Sequence, residues 1–253
     1  MIKLIVCGFL GRLGSAVCRL ATTESDVRVV AGTDINPGEG IEFPAFKSIK
    51  DCEMSADVVV AAVPPTEESE ILAIFDFAVQ RNLPLIFCTT AISDEAEKAL
   101  LSASDKIAVL RSPNMSVGIN LLLNMLGQAA RFLHNAGFDT EIIEKHHGKK
   151  LDAPSGTAIA LAKALKYNEN MRLVHGRSQK MAERIGYEIG IHSIRGGSII
   201  GEHTVLFAGP GEVIEFTHKA ESRDVFAIGT LQAARFIIGK TAGLYSMQDL
   251  MTD

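Results

Sequence analysis

Cysteine is scarce and never closely spaced in this chain. Cys7, Cys18, Cys52 and Cys88 are the only four in 253 residues, and no two form a Cys-x-x-Cys pair. That spacing excludes a disulfide framework and a cysteine-based zinc site, and it points to a reducing compartment. Long hydrophobic runs are also missing. None approaches the ~20 residues that span a bilayer. The N-terminus enters an apolar strand at once, Met1-Ile2-Lys3-Leu4-Ile5-Val6, without a basic region, apolar core and cleavage site. No membrane partner is expected, and the cytoplasm is the expected location. A basic excess is absent too. The formal net charge is -5, which argues against a nucleic-acid surface but leaves room for a local basic pocket. No repeat or low-complexity segment is visible.

What is present is enough apolar residue for a buried core, at 47% hydrophobic composition. Short runs rich in Val and Ile recur at Lys3–Cys7, Val27–Gly32, Asp57–Val63, Leu83–Cys88 and Lys106–Leu110. They are nearly continuous in apolar residues, as strands buried on both faces of a parallel sheet are. Helical patterns lie between them at Gly11–Thr22, Thr66–Arg81 and Asp94–Ala103, the last opened by Ser93 with Asp94 and Glu95 in its first turn. This alternation predicts right-handed βαβ units, hence an α/β Rossmann-type doubly wound parallel sheet.

The texture changes near Met115. A long helix is predicted over Val117–Phe132, then a strand over Thr140–Glu144, a polar loop and a helix over Ser155–Leu165. Tyr167–Tyr187 gives no clear pattern. Strands are expected at Glu188–Ile194, Gly201–Ala208 and Glu212–Lys219, the last two joined by the turn Gly209-Pro210-Gly211. Asp224–Gly239 reads as a closing helix and Tyr245–Leu250 as a short tail. The expected division is a dinucleotide-binding domain, residues 1–116 and 223–253, and a second α+β domain with a mixed or antiparallel sheet, residues 117–222.

Two segments carry chemistry. The first strand runs into Gly8-Phe9-Leu10-Gly11-Arg12-Leu13-Gly14, a G-x-x-G-x-x-G variant of the dinucleotide fingerprint. Gly8 permits a sharp turn, Gly11 close approach to a pyrophosphate, and Gly14 helix–strand packing. The helix start supplies free N–H groups and partial positive charge. Asp34 ends the second strand, where a ribose hydroxyl pair needs an acceptor. Cys88-Thr89-Thr90 and Ser112-Pro113-Asn114-Met115 follow the fourth and fifth strands, at the ligand-binding edge of such sheets. An ordinary strand-to-helix turn and a solvated carboxylate remain the plain alternatives.

The second segment is Glu144-Lys145-His146-His147-Gly148-Lys149-Lys150-Leu151-Asp152-Ala153-Pro154-Ser155-Gly156-Thr157-Ala158. Histidines and lysines are expected in a loop before a helix whose N–H groups, with Ser155 and Thr157, suit a carboxylate-bearing substrate. A histidine there can donate a proton near neutral pH. A His146–His147 metal pair lacks a third ligand nearby, so no metal is expected. A hydrolase reading lacks the first glycine of G-x-S-x-G. A solvated basic loop capped by Ser155 stays open.

This segment resembles the dihydrodipicolinate (4-hydroxy-tetrahydrodipicolinate) reductase signature E-x-H-H-x-x-K-x-D-x-P-S-G-T-A. The likeness extends to Gly8–Gly14, to Asn114-Met115-Ser116-Val117-Gly118-Ile119-Asn120, to His192–Gly197, Gly201–Thr204 and Thr217–Ala220, and to Gly243-Leu244-Tyr245. The resemblance implies reduction by NADH or NADPH of the cyclic imine-dicarboxylate from 4-hydroxy-tetrahydrodipicolinate to tetrahydrodipicolinate, in lysine and diaminopimelate biosynthesis. It implies His146 and Lys150 as catalytic proton donors. It implies His147, Ser155, Gly156 and Thr157 at the substrate. Gly8, Phe9, Leu10, Gly11, Arg12, Leu13, Asp34, Cys88, Thr89, Thr90, Ser112, Pro113, Asn114 and Met115 would line the cofactor. A homotetramer is implied as well. NADH is the expected preference, because Ile35, Asn36 and Pro37 supply no cation beside Asp34. The chain departs from the family's Gly-Thr-Thr-Gly at Cys88 and Ala91, and from its Phe-Thr at Ala62-Val63, so Cys88 is expected to crowd the nicotinamide side. Another Rossmann amino-acid dehydrogenase and a non-catalytic NAD(P)H sensor are the rival readings.

Overall fold

A computed structural model describes residues 1–38, 40–178 and 183–251. Part of the patternless stretch, residues 179–182, lies outside the described residues. The chain divides into two compact units, Met1–Val117 with Asp224–Asp253, and Gly118–Arg223. These limits differ by one residue from those expected.

In the first unit the apolar runs become β1 (Ile2–Cys7), β2 (Val27–Thr33), β4 (Val58–Ala61), β5 (Leu85–Phe87) and β6 (Ala108–Arg111). Two strands escape the sequence pattern. β3 (Ala45–Phe46) is two residues long, and β12 (Gly243–Tyr245) meets the expected tail only at Tyr245. All seven are parallel, in the order β12-β6-β5-β4-β1-β2-β3. Chain order reverses at β1, which has β2 on one side and β4 on the other, so the ligand crevice of such a sheet opens beyond Cys7 and Ala61.

Helices cover both faces. α2 (Glu68–Gln80) and α3 (Asp94–Ser104) bury Ile71, Ile74, Phe75 and Leu100 against one. α1 (Arg12–Ala21) and α6 (Asp224–Ile237) bury Val17, Leu231 and Ala234 against the other. Ser93 caps α3 by accepting from the Ala96 N–H at 3.1 Å. Gly229 lets α6 approach the segment after β6 closely, since a Cβ there would lie 1.8 Å from the Met115 carbonyl oxygen.

The second unit holds α4 (Val117–Asn135, whose first residue belongs to the other unit), β7 (Asp139–His146), α5 (Gly156–Leu165), β8 (Arg172–His175), β9 (Glu188–Arg195), β10 (Glu202–Gly209) and β11 (Glu212–Lys219). β8 falls in the stretch that gave no pattern. The sheet is mixed, in the order β11-β10-β7-β9-β8, with β7–β9 and β8–β9 parallel and the β10 pairings antiparallel. The Pro210-Gly211 turn joins β10 and β11 with Gly211 at φ +88°. α4 and α5 cover one face, where Leu126, Leu133, Leu161 and Leu165 pack on Ile142, Ile191, Val205 and Phe207.

Candidate active site

Each unit brings one group of the singled-out residues together. In the first unit they gather at the carboxyl edge of the sheet. Gly8 has φ +78°, and a Cβ there would sit 2.6 Å from the Ala62 carbonyl oxygen. A Cβ at Gly14 would sit 2.1 Å from the Gly8 oxygen, so the first turn of α1 rests directly on the loop. Gly11 is the residue before α1, and no side chain caps that helix or places a carboxylate in its first turn. The N–H groups of this turn, with Arg12 exposed beside them, fit an anionic pyrophosphate. Asp34 accepts the Leu10 N–H at 3.1 Å, holding the loop to the end of β2. Leu10, Gly11, Arg12, Leu13, Asp34, Ile35 and Lys47 line one cleft with Ala62–Pro65, Glu67 and Glu70.

Three of the expected cofactor residues pack their side chains inward. Phe9 is buried against Phe43, ring centroids 5.4 Å apart. Met115 is buried in the core shared with α6. Cys88 packs in that same core; burial pushes its thiol up to about 12, opposed by a hydrogen bond with Thr230. Its side chain therefore fills core space beside α6. Ala91 behaves differently. It sits at φ +56°, where a Cβ is disfavoured, so the residue replacing the family's second glycine keeps a glycine-like backbone.

The Thr89 hydroxyl donates to the Val63 carbonyl at 2.7 Å, tying the ends of β4 and β5 together. Thr90, Pro113 and Ala91 line a second hollow with Arg111, Tyr245 and Asp249. Ser112 is buried and donates to the Asn114 carbonyl at 2.8 Å, while Asn114 Oδ1 accepts the Ser116 N–H at 2.9 Å.

The second unit gathers the basic segment around a buried carboxylate. His146 is the last residue of β7 and is buried, which corrects its expected place in a loop. The pleat explains this. Thr140, Ile142, Glu144 and His146 alternate onto the helix-covered face, so Glu144 and His146 are neighbours two residues apart. Glu144 Oε2 lies 2.5 Å from His146 Nδ1. Arg195, at the end of β9, donates to both Glu144 oxygens, at 2.7 and 2.9 Å. The Ser155 N–H reaches Glu144 at 3.2 Å, and Arg195 also donates to the Asp152 carbonyl at 2.7 Å.

Burial raises the Glu144 carboxyl, but hydrogen bonds from Arg195, Ser193 and His146 and the Arg195 charge outweigh it and hold it at about 2. Burial moves His146 below the usual histidine range, with Glu144 opposing. A Cβ on Gly201 would lie 3.1 Å from His146 Nε2, so the glycine keeps that nitrogen uncovered.

Lys150 Nζ pairs with Asp152 at 2.8 Å, and the Lys150 N–H bonds the His147 carbonyl. His147 is half-buried. Ser155 is buried at the start of α5. Its hydroxyl oxygen accepts the Ala158 N–H at 3.2 Å and meets His203 Nε2 at 3.1 Å, so its role in this structure is a helix cap and ring anchor. Gly156 is exposed, and a Cβ there would meet nothing within 4 Å. Thr157 follows it in the first turn of α5.

Glu144, Arg195, His203 and Gly201 were given no site role, although all four lie in the segments that carried the family resemblance. For Glu144 the strand alternation was a further signal. For Arg195 and His203 only the register of β9 and β10 against β7 places them. Among the described residues no three His, Cys, Asp or Glu side chains form a metal-holding group, and no helix is long and apolar enough to cross a membrane.

Comparison with known proteins bears on the family and the fold. The family model described as dihydrodipicolinate reductase, N-terminus, matches residues 2–115, and the C-terminus model matches residues 118–251. The 4-hydroxy-tetrahydrodipicolinate reductase of Caldanaerobacter subterraneus subsp. tengcongensis is 44% identical, over 99% of this chain and 98% of that protein. That of Clostridium tetani is 40% identical, over 99% and 97%. A dipicolinate-bound dihydrodipicolinate reductase from Paenisporosarcina sp. TG-14 superposes with a TM-score of 0.80 at 24% identity, covering 98% of this chain and 99% of that one, which speaks for the fold. A myo-inositol dehydrogenase from Corynebacterium glutamicum gives a TM-score of 0.62 at 13% identity over 96% and 90%, so the fold by itself does not select among dehydrogenases. The sequence matches make that selection: the chain belongs to the dihydrodipicolinate reductase family.

Proposed function

We infer that the chain reduces the cyclic imine-dicarboxylate derived from 4-hydroxy-tetrahydrodipicolinate to tetrahydrodipicolinate with NAD(P)H, a step of lysine and diaminopimelate biosynthesis. The observation that carries the chemical assignment is the His146–Glu144–Arg195 cluster beside the open start of α5. Bound at the glycine loop, the dinucleotide supplies a hydride. The chain's own residues must then supply a proton and hold two carboxylates. His146 Nε2 is the proton donor, with Lys150 the second. The N–H groups of Gly156 and Thr157, with His147, receive a substrate carboxylate at the helix start. Ser155 contributes through its cap, which fixes where those N–H groups point. A dianionic substrate accounts for a cationic segment in an acidic protein. A sensor needs no buried proton donor, and the family match removes the unrelated dehydrogenases.

NADH is the preferred dinucleotide in this reading, because Asp34 accepts from both ribose hydroxyls and repels a 2′-phosphate. Lys47 and Arg12 line the same cleft and are the residues by which NADPH is still admitted. Titration of both reduced cofactors at low and high salt should give tighter NADH binding with little salt dependence. Tighter NADPH binding that loosens with salt would make Lys47 and Arg12 dominant over Asp34.

The protein is a cytoplasmic homotetramer in the same reading. The sheet face opposite α4 and α5 presents Ile143, Leu206, Ala208 and Val213 outside the core cluster, and Val213 is 58% exposed. β11 is an edge strand of eight residues, long enough to need cover. Light scattering at micromolar concentration should return four chain masses, and a monomer mass would refute the assembly.

A further inference from the structure

We propose that Glu144 is a positioning residue of the reaction, whose carboxylate holds the His146 ring in the tautomer protonated at Nδ1 and so reserves Nε2 for proton transfer to substrate. This rests on His146 being the proton donor. The geometry carries the rest. Glu144 is completely buried, yet it meets five donors: two guanidinium nitrogens of Arg195, the Ser155 N–H, His146 Nδ1 and the Ser193 side chain. A carboxylate satisfied in this way is ionised and can only accept. The hydrogen shared across 2.5 Å with His146 therefore resides on Nδ1. That leaves the lone pair of the neutral ring on Nε2, the nitrogen that Gly201 leaves uncovered.

The groups facing His146 come from several elements. Glu144 lies on β7, Arg195 on β9, His203 on β10, and Lys150 in the loop before α5. The His203 ring stands edge-on at 5.2 Å. Of these only Glu144 is negative, so it alone favours the imidazolium form that must donate the proton. The same carboxylate also receives the Ser155 N–H, and Arg195 reaches the Asp152 carbonyl. One buried charge thus fixes both the proton donor and the backbone that opens α5.

Three measurements test the proposal. The imidazole ¹⁵N signals of His146, assigned by their loss in His146→Gln, should report the Nδ1–H tautomer in the unmodified protein; an Nε2–H tautomer overturns it. In Glu144→Gln the turnover should fall about 10–100-fold. The pH above which activity declines should also move down by about one unit or more, because imidazolium loses its counter-charge. Glu144→Asp, which keeps the charge, should restore the position of that decline even where turnover stays low. A carboxylate that served only as a loop clamp would lower the rate at every pH and leave the decline in place, which overturns the proposal. If His146→Gln turns over like the parent enzyme, the proton-donor reading itself fails. An inactive His146→Gln with an unmoved profile in Glu144→Gln removes only the role of Glu144.

Discussion

Replacing His146 by Gln, or Lys150 by Ala, is expected to lower kcat by about 10²–10⁴-fold while dinucleotide binding is retained, because general acid catalysis contributes on that scale. Gln accepts and donates hydrogen bonds but cannot release a proton at Nε2, so His146→Gln keeps the packing around Glu144 and removes the chemistry. Lys150→Ala frees Asp152 of its 2.8 Å partner, so both the second donor and one cation disappear from the substrate's surroundings. KM for the dicarboxylate should therefore rise in Lys150→Ala more than in His146→Gln. The glycine loop and Asp34 belong to the other unit, and fluorescence titration of NADH should give similar dissociation constants for both variants and the parent. Parent-like turnover in both variants, with the fold intact by circular dichroism, would sink the assignment.

Acid is expected to destabilise the second unit in two separable stages. Burial and the neighbouring His146 charge press His203 down to about 4 from 6.5. A histidine held below its unfolded value binds fewer protons folded than unfolded between those two pH values. Stability is therefore complete above about pH 6.5 and is lost as pH falls towards 4. At ~1.4 kcal/mol per pH unit, this one ring accounts for about 3 kcal/mol. Glu144 acts lower on the scale. Its carboxyl is held at about 2 against 4.5, so its contribution is complete above about pH 4.5 and is lost as pH falls towards 2. Urea unfolding followed from pH 7.5 to 4.5 should show a falling midpoint, and His203→Gln should flatten much of that fall. His146 and His218, also lowered by burial, supply the remainder. An equally steep fall in His203→Gln would show that His203 is not the group responsible.

The parallel sheet was legible in the sequence because β1, β2, β4, β5 and β6 are short apolar runs separated by helical patterns, each run buried on both faces. β3 was not, because two residues carry no period. β8 was not, because only part of it is apolar and it pairs with β9 alone, at the sheet edge. β12 was not, because three residues between the closing helix and the tail carry no period, although Gly243-Leu244-Tyr245 had been noted as part of the family likeness.

Legibility at the site followed the same physics. The glycine loop and the Ser155 cap are local signals, since each concerns residues a few positions apart, and Asp34 was legible through its place at the end of an apolar run. Glu144 beside His146 was half legible. Extending the alternation of Thr140 and Ile142 by two steps puts both on one face, but the expected strand ended at Glu144 and left His146 in a loop. Arg195 was illegible as a partner, because it meets Glu144 through the parallel register in which His146 pairs with Arg195. His203 was illegible for the same reason: it stands opposite Glu144 on β10. The inward turn of Phe9, Cys88 and Met115 was hidden because a motif lists positions, whereas side-chain direction depends on the packing of α6 and of Phe43.

The most direct test of the account is the reaction itself. The purified chain is supplied with freshly generated 4-hydroxy-tetrahydrodipicolinate and either reduced dinucleotide, and cofactor oxidation is followed alongside the product. The account predicts stoichiometric appearance of tetrahydrodipicolinate, faster with NADH at low cofactor concentration, and inhibited by pyridine-2,6-dicarboxylate in competition with substrate. A folded protein that binds NADH but oxidises none when substrate is added would contradict it.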